Sequence, residues 1–332
     1  MKRIRFSACV LILLMCVTLC CCQSQNPSLT AEYSRSGDIP VYDFYADEIT
    51  HPENYDKFAN AYNDFAANML INTNSGENTV ISPYSLYTAM ALCANGSSGK
   101  TLQNCENVMG DVLRISDINS CHHYLSSRLT SLNMDGGKLK DSNSLWINDN
   151  FSVKSQYLQT IVNYYDAEVH RTELAKDGTE RINSWINSHT DGEIKNLLSE
   201  LDDVTLMVLV NTLLFEDDWV TPYNESSLSD GTFNGTNGAE SASFMTSNEM
   251  LISSADAKGF IKSYKNTPCK FVAILPNEDV SLDEYIRTLS GQKLNALLSS
   301  QSGLNRCIAS VPQFELRTKI KLRETLEKMG MD

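Results

Sequence analysis

Residues 94–101 read ANGSSGKT, which falls one glycine short of a phosphate-binding loop. Such a loop cradles phosphate on backbone N–H groups between a strand and the helix that follows, with the lysine and the hydroxyl residue completing the site. Here Ala94 replaces the first glycine and a helical pattern precedes the segment, so the expectation is a turn between two helices. His122 and His123 are adjacent, and neighbouring side chains on a helix diverge by about 100°. No cysteine or carboxylate pattern near them completes a ligand set, so a solvated helix face is expected and no metal. Ser82 and Ser85 lack a local base, and no G-x-S-x-G elbow, H-E-x-x-H helix or glycine-rich dinucleotide turn occurs. No catalytic residue and no cofactor is assigned.

The chemistry most legible at the start of the chain is lipidation. Lys2, Arg3 and Arg5 precede an apolar run over residues 6–19, too short to span a bilayer comfortably but suited to a secretory signal. The run closes on Leu19-Cys20-Cys21-Cys22, similar to a bacterial lipobox with Leu19 at −3 and Cys22 as the lipidated residue. Cys21 meets the small-residue requirement at −1 only loosely, which leaves Cys20 and Cys21 as alternative acceptors. An exported protein is expected, held at the cell surface through a lipid anchor alone or released outside the cell. The sequons at Asn95, Asn150, Asn224 and Asn234 read as coincidence beside such a leader.

The formal net charge is −14, and loss of the three basic leader residues makes it more negative. That surface repels phosphate backbones and excludes nucleic acid as a partner. Five of the ten cysteines lie in the leader; the others, Cys93, Cys105, Cys121, Cys269 and Cys307, are scattered without a C-x-x-C pair. Buried free thiols are the default, with one or two disulfides left open.

The elements behind these residues follow from periodicity. Residues 23–50 are polar and lack a sustained period, and form a flexible spacer between the signal (1–22) and a single domain (51–332). Tyr55, Phe58, Tyr62, Phe65 and Met69 recur at steps of three and four, which marks an amphipathic helix. Val80-Ile81 is a short strand-like pair, and Ser82-Pro83 breaks it and starts a helix. Residues 139–148 read as a strand and 151–165 as a helix. Ile182, Trp185 and Ile186 mark a helix face closed by a left-handed glycine at Thr190-Asp191-Gly192, with another element after it. Residues 204–215 (VTLMVLVNTLLF) are nearly all apolar and predict a long strand covered on both faces. Turn-rich strands follow, with a buried strand at 271–275, another at 308–316, and a last helix carrying Leu322, Leu326 and Met329. The fold class is α+β, one mixed domain of several helices and at least two sheets.

In this order the segments resemble one family. Residues 78–91 (NTVISPYSLYTAMA) resemble the serpin stretch N-x-[FV]-[IL]-S-P-x-S-[IL]-x-x-A, where a strand meets the helix behind the central sheet. LKDSNSLWIN and NYYDAEV resemble the strand and helix that follow, and residues 182–198 (INSWINSHTDGEIKNLL) resemble the helix across the sheet. Residues 208–219 (VLVNTLLFEDDW) resemble the long central strand, and SVPQFEL with LRETLEKMGM resembles the strand and helix near the end. The resemblance covers about residues 55–332.

The resemblance implies a serpin-like domain of many helices around large mixed β-sheets. It places Ser82, Pro83, Ser85 and Asn211 in the polar cluster under the middle of the central sheet, where the sheet opens. It places Trp219 at the top of that opening. Glu216 and Asp217 stand where the family commonly has Lys-Gly, which bears on the local turn. The implied function is inhibition of a serine or cysteine protease: an exposed loop is cleaved, stays bound as an acyl-enzyme and inserts as a new strand. Serpin loop insertion is a standard example of a strand added to an existing sheet. In the family the loop and the last strands follow the helix that ends here near Asp332, so the domain is expected to be incomplete at its C-terminus and inactive as it stands. The chain is expected as a monomer and not as an enzyme. The alternative is a noninhibitory binding or structural module at the cell surface. The helical region 117–132 offers only Arg128 as a basic residue, so no polyanion cofactor is expected.

Overall fold

A computed structural model describes residues 5–15, 52–110, 112–131, 136–235 and 238–331. Cys22 and the spacer lie outside the described residues. Helix α1 (Pro52–Thr73) turns Phe58, Phe65 and Met69 inward. Helix α2 (Pro83–Asn95) follows, and every residue from Tyr84 to Ala94 is buried, so α2 is the central helix of the fold. Around it lie α3 (Gly99–Met109), α4 (Ile115–Ser131) and α5 (Ser155–Tyr165).

The first sheet contains β1 (Arg5–Met15), β2 (Lys138–Asn148), β3 (Glu168–Thr172) and β4 (Met207–Glu216), in the order β1-β4-β2-β3. β4 is antiparallel to both neighbours, with Asn211 opposite Asn143 on β2 and Leu11 on β1; β2 and β3 are parallel. Alternation assigns the two faces. Leu145, Ile147 and Leu209 join the helical core, while Trp146, Val208 and Val210 face Ile182, Trp185 and Ile186 of α6 (Thr179–His189). β4 is therefore covered on both faces, as its apolar run predicts. Within the apolar leader, Arg5–Met15 lies along its outer edge.

The second sheet has β5 (Leu228–Gly235), β6 (Gly238–Ser253), β7 (Ala257–Ser263), β8 (Lys270–Pro276) and β9 (Arg306–Pro312). Its order is β5-β6-β7-β8, and β9 pairs with β6. α7 (Leu282–Arg287) and α8 (Gly291–Ser299) follow β8. Gly291 permits close approach of α8 to α1, since a Cβ there would lie 2.7 Å from Asp64 N. α9 (Arg323–Met329) returns Leu326 and Met329, with the preceding Leu322, to the helical core.

Several expectations are corrected. Val80-Ile81 is not a strand, and β4 begins at Met207 because Val204, 70% exposed, belongs to a turn. α5 starts at Ser155, not at 151, and β8 is only half-buried. β9 ends at Pro312, so 313–316 are not strand, although Gln313 N still donates to Ser243 O at 2.8 Å. The segment after Gly192 forms no helix or strand. Its backbone is held from outside: Asn183 Nδ2 donates to Leu198 O at 2.9 Å and Leu198 N donates to Asn183 Oδ1 at 3.0 Å. Asn196 adopts φ 51°, which a helix excludes. The closing glycine does behave as expected, with Gly192 at φ +82°. His122 is 3% exposed, not on a solvated face, because α4 turns it toward α2. It lies 2.9 Å from Thr88 Oγ1 and stacks between Tyr84 and Tyr165.

Asn183→Ala removes both bonds to Leu198, and at roughly 1 kcal/mol each the loss should be about 2 kcal/mol. Urea unfolding should show a lower midpoint at unchanged slope, and the Leu198 amide should exchange faster; an unchanged midpoint would show that Leu197 and Leu198 are held by apolar contact alone.

Candidate functional site

The candidate site is the polar layer between β4 and the helices. Ser82 precedes α2 in extended backbone and caps it: Ser85 N donates to Ser82 Oγ at 3.2 Å, and Ser82 Oγ donates to Ser85 Oγ at 3.0 Å. Pro83 occupies the first helical position, where a missing N–H costs nothing. This start sets Tyr84 so that its hydroxyl donates to Asp141 Oδ2 at 2.7 Å. Ser126 Oγ of α4 donates to the same oxygen at 3.2 Å, and Asn211 Nδ2 of β4 donates to Asp141 Oδ1 at 2.9 Å. Asn211 Nδ2 also reaches Asn143 Oδ1 at 2.8 Å, and Asn143 Nδ2 donates to Tyr165 O at 2.9 Å. Tyr165 Oη donates to Asn119 Oδ1 at 2.6 Å, and Asn119 and Asn95 exchange amide bonds of 2.9 and 2.8 Å. One chain of hydrogen bonds thus runs from β4 and β2 through three helices.

Burial raises the carboxyl pKa of Asp141, and the hydrogen bonds from Tyr84, Asn211, Ser126 and Asn143 oppose that rise. Burial also drives the His122 pKa down to about 3, so the ring is neutral. Asn211 is fully buried and its Oδ1 has no hydrogen-bond partner among the described residues. A buried polar atom without a partner is uncommon in folded proteins.

Trp219 lies apart from this layer. Its ring stacks on Tyr264 at 4.4 Å, with Phe271 edge-on at 5.8 Å. The Lys262 ammonium sits 5.4 Å from the Trp219 centroid and 4.5 Å from that of Tyr223. Lys262, 2% exposed, pairs with Glu249, which also accepts from Ser247. Asp217 is buried just past the end of β4. It accepts from Asn266 N at 3.1 Å and Asn266 Nδ2 at 2.8 Å, while Glu216 pairs with Lys138 at 3.3 Å. The two carboxylates that depart from the family pattern therefore fix the turn through ion and amide partners.

Asn211 is connected through Asp141 to Tyr84, the chain neighbour of Pro83 and Ser85, while the Ser82 and Ser85 hydroxyls bond to each other. Residues that sequence inspection passed over complete the layer: Asp141, Tyr84, Ser126 and Asn143. The signal was present, because Asp141 and Asn143 occupy the same alternate positions of β2 as Leu145 and Ile147, the face toward the helices. Among the described residues no group of three or more His, Cys, Asp or Glu is placed to hold a metal ion. Cys93, Cys105 and Cys121 are buried and Cys269 and Cys307 half-buried, all as free thiols.

A helical shell behind a sheet whose central strand carries buried amides defines the class, and comparison with known proteins agrees. The family model for serpins (serine protease inhibitors) matches residues 60–332. An uncharacterised serpin-like protein of Methanosarcina acetivorans is 28% identical over 288 residues, covering 84% of this chain and 67% of its own. Human serpin B4 is 26% identical over 283 residues, covering 77% of this chain and 73% of its own. The thermophilic serpin tengpin in its native state superposes with a TM-score of 0.78 at 34% identity, covering 83% of this chain and 72% of tengpin. The chain belongs to the serpin family.

Glu249→Gln should destabilise the protein by about 3–5 kcal/mol, because it leaves the Lys262 charge buried without a counter-ion. Replacing both partners, Glu249→Leu with Lys262→Met, should recover most of that loss. A double variant as unstable as the single one, by urea unfolding, would show that packing against Trp219 and not the charge is what matters.

Proposed function

We propose that this serpin scaffold serves an inhibitor of serine or cysteine proteases that acts by inserting a cleaved bait loop into its first sheet. The observation that carries this is the layer of buried amides, Asn143 and Asn211, around the half-buried Asp141 carboxylate under β4. Hydroxyl and amide groups can exchange partners when a strand is added, whereas apolar packing would leave backbone groups unpaired. An inserted strand of roughly ten residues gains about 1 kcal/mol per ladder hydrogen bond, on the order of 10 kcal/mol in all, enough to drive the distortion of a bound protease. In this scheme the protease is the catalyst and the serpin its suicide substrate, acting as a monomer.

The bait loop is not recognised within the 332 residues. The test therefore compares this chain with any longer product of its gene. The 332-residue chain should form no denaturant-resistant complex with trypsin-like, subtilisin-like or papain-like proteases. A product that carries the loop should trap one of them at one-to-one stoichiometry and melt higher once nicked. Clean cleavage without trapping or added stability would replace this function with the noninhibitory module.

We also propose export and lipidation, resting on the basic-apolar leader and Leu19 to Cys22. Mass analysis of the exported protein should find a diacylglycerol on a leader cysteine, Cys22 first. A soluble mature form with unmodified cysteines would refute the anchor. A polyanion site is not proposed: α4 carries Arg128 in its last turn and no other basic residue except histidine, and heparin should bind without a steep salt dependence or not at all.

A further inference from the structure

The fold brings two of the free thiols together. Cys93 lies in the last turn of α2 and Cys105 in the second turn of α3, twelve positions further on, with the turn at residues 96–98 between them. Both are buried in the helical core, 5% and 0% exposed, and their side chains are hydrogen-bonded to each other. Ser97 Oγ lies 4.0 Å from the Cys93 sulfur and donates to Cys93 O at 2.9 Å, which holds the turn against the end of α2. Cys121 of α4 belongs to the same core, whereas Cys269 and Cys307 are half-buried, beside β8 and on β9.

The contact is unequal. The hydrogen bond with Cys105 is the first cause that lowers the Cys93 pKa, and the same bond, together with burial, raises that of Cys105. Cys93 therefore accepts and Cys105 donates, and Cys93 is the sulfur that forms a thiolate first. A disulfide needs its sulfurs about 2 Å apart, and two thiols already in contact need only a short movement to reach that distance. Access comes from the turn: Gly96, Ser98, Gly99, Lys100 and Thr101 are exposed, and a Cβ at Gly99, where φ is +58°, would meet nothing within 4 Å. The glycine-rich segment that falls short of a phosphate loop thus forms the open corner next to the dithiol.

We propose that Cys93 and Cys105 form an oxidation site: a disulfide donor closes them into a bond that ties α2 to α3. The Cys93 thiolate attacks one sulfur of the donor disulfide and expels a thiolate. Cys105 then loses its proton, attacks the Cys93 sulfur of the mixed disulfide and expels the second. The protein gives up two electrons and two protons, and the donor leaves as two thiols. The Ser82 cap fixes the first turn of α2 and this bond fixes the last, so the central helix is held at both ends. The closed loop is short, and its constraint on the unfolded chain adds a modest increment of stability. The site is independent of the inhibitor reading, since no protease takes part in its formation or its test.

The test incubates the full chain with oxidised glutathione, alkylates the remaining thiols in denaturant and digests with trypsin without reduction. Cleavage at Lys100 puts the two cysteines on different peptides, 58–100 and 101–114, so the bond appears as a joined pair, lighter than the two peptides by the hydrogens lost. The oxidised protein should melt about 3 °C or more above the same protein kept in dithiothreitol. Cys105→Ala should abolish both the joined pair and the rise, and Cys121→Ala should keep both. Recovery of Cys105 in alkylated form, a glutathione adduct on Cys93 that never resolves, or linkage of either residue to Cys121 would overturn the proposal. So would a joined pair whose melting point matches that of the reduced protein. Because oxidised and reduced forms of one protein are compared, a variant that fails to fold leaves the test standing.

Discussion

β4 is covered on both faces, yet its middle carries an asparagine that is fully buried. Burying an amide without partners costs several kcal/mol, so much of the surrounding structure follows from satisfying it. Asn143 must stand opposite, which fixes the register of β2 against β4. A one-residue slip would send Asp141 and Asn143 to the α6 face and Trp146 into the helices. The carboxylate then needs donors, which fixes α2 through Tyr84 and α4 through Ser126. The Ser82 cap sets where α2 begins and hence where Tyr84 falls. Specificity of arrangement, more than raw stability, is what such a network supplies.

The molecule contrasts two ways of burying charge. Under the centre of the sheet an acidic group is surrounded by neutral donors. Beyond the end of β4 a lysine and a glutamate are locked between Trp219, Tyr223 and Tyr264. The first is held by neutral hydrogen bonds alone, and the second by an ion pair enclosed by aromatic rings. Asp217 extends that corner by gripping the Asn266 backbone and side chain.

Much of this was legible from residue order. The continuous apolar run of 204–215 named the central strand, and Ser82-Pro83 named the start of the central helix, because both signals are local. The polar layer was half legible: Asn211 and the serines matched a motif, whereas Asp141 looked like one charge in a mixed strand until the register assigned its face. His122 was misread because a helix pattern rich in serine and asparagine gives little sign of its buried side. The extended segment after Gly192 was misread for another reason. Its partner is Asn183, fifteen residues back, and a side chain that substitutes for a backbone partner leaves no periodicity to detect.

The bond between Asn211 and Asp141 joins residues 70 positions apart. Helices α2 to α5 and β2 are all made before β4 leaves the ribosome, so for that interval β2 has one ladder edge open and its carboxylate without the asparagine. Such non-local closure is slow, and an uncovered strand edge invites association with other chains. A chain that is synthesised from its N-terminus must keep this half-built sheet apart from its neighbours until the central strand arrives, which puts a premium on delaying compaction until synthesis has passed residue 216.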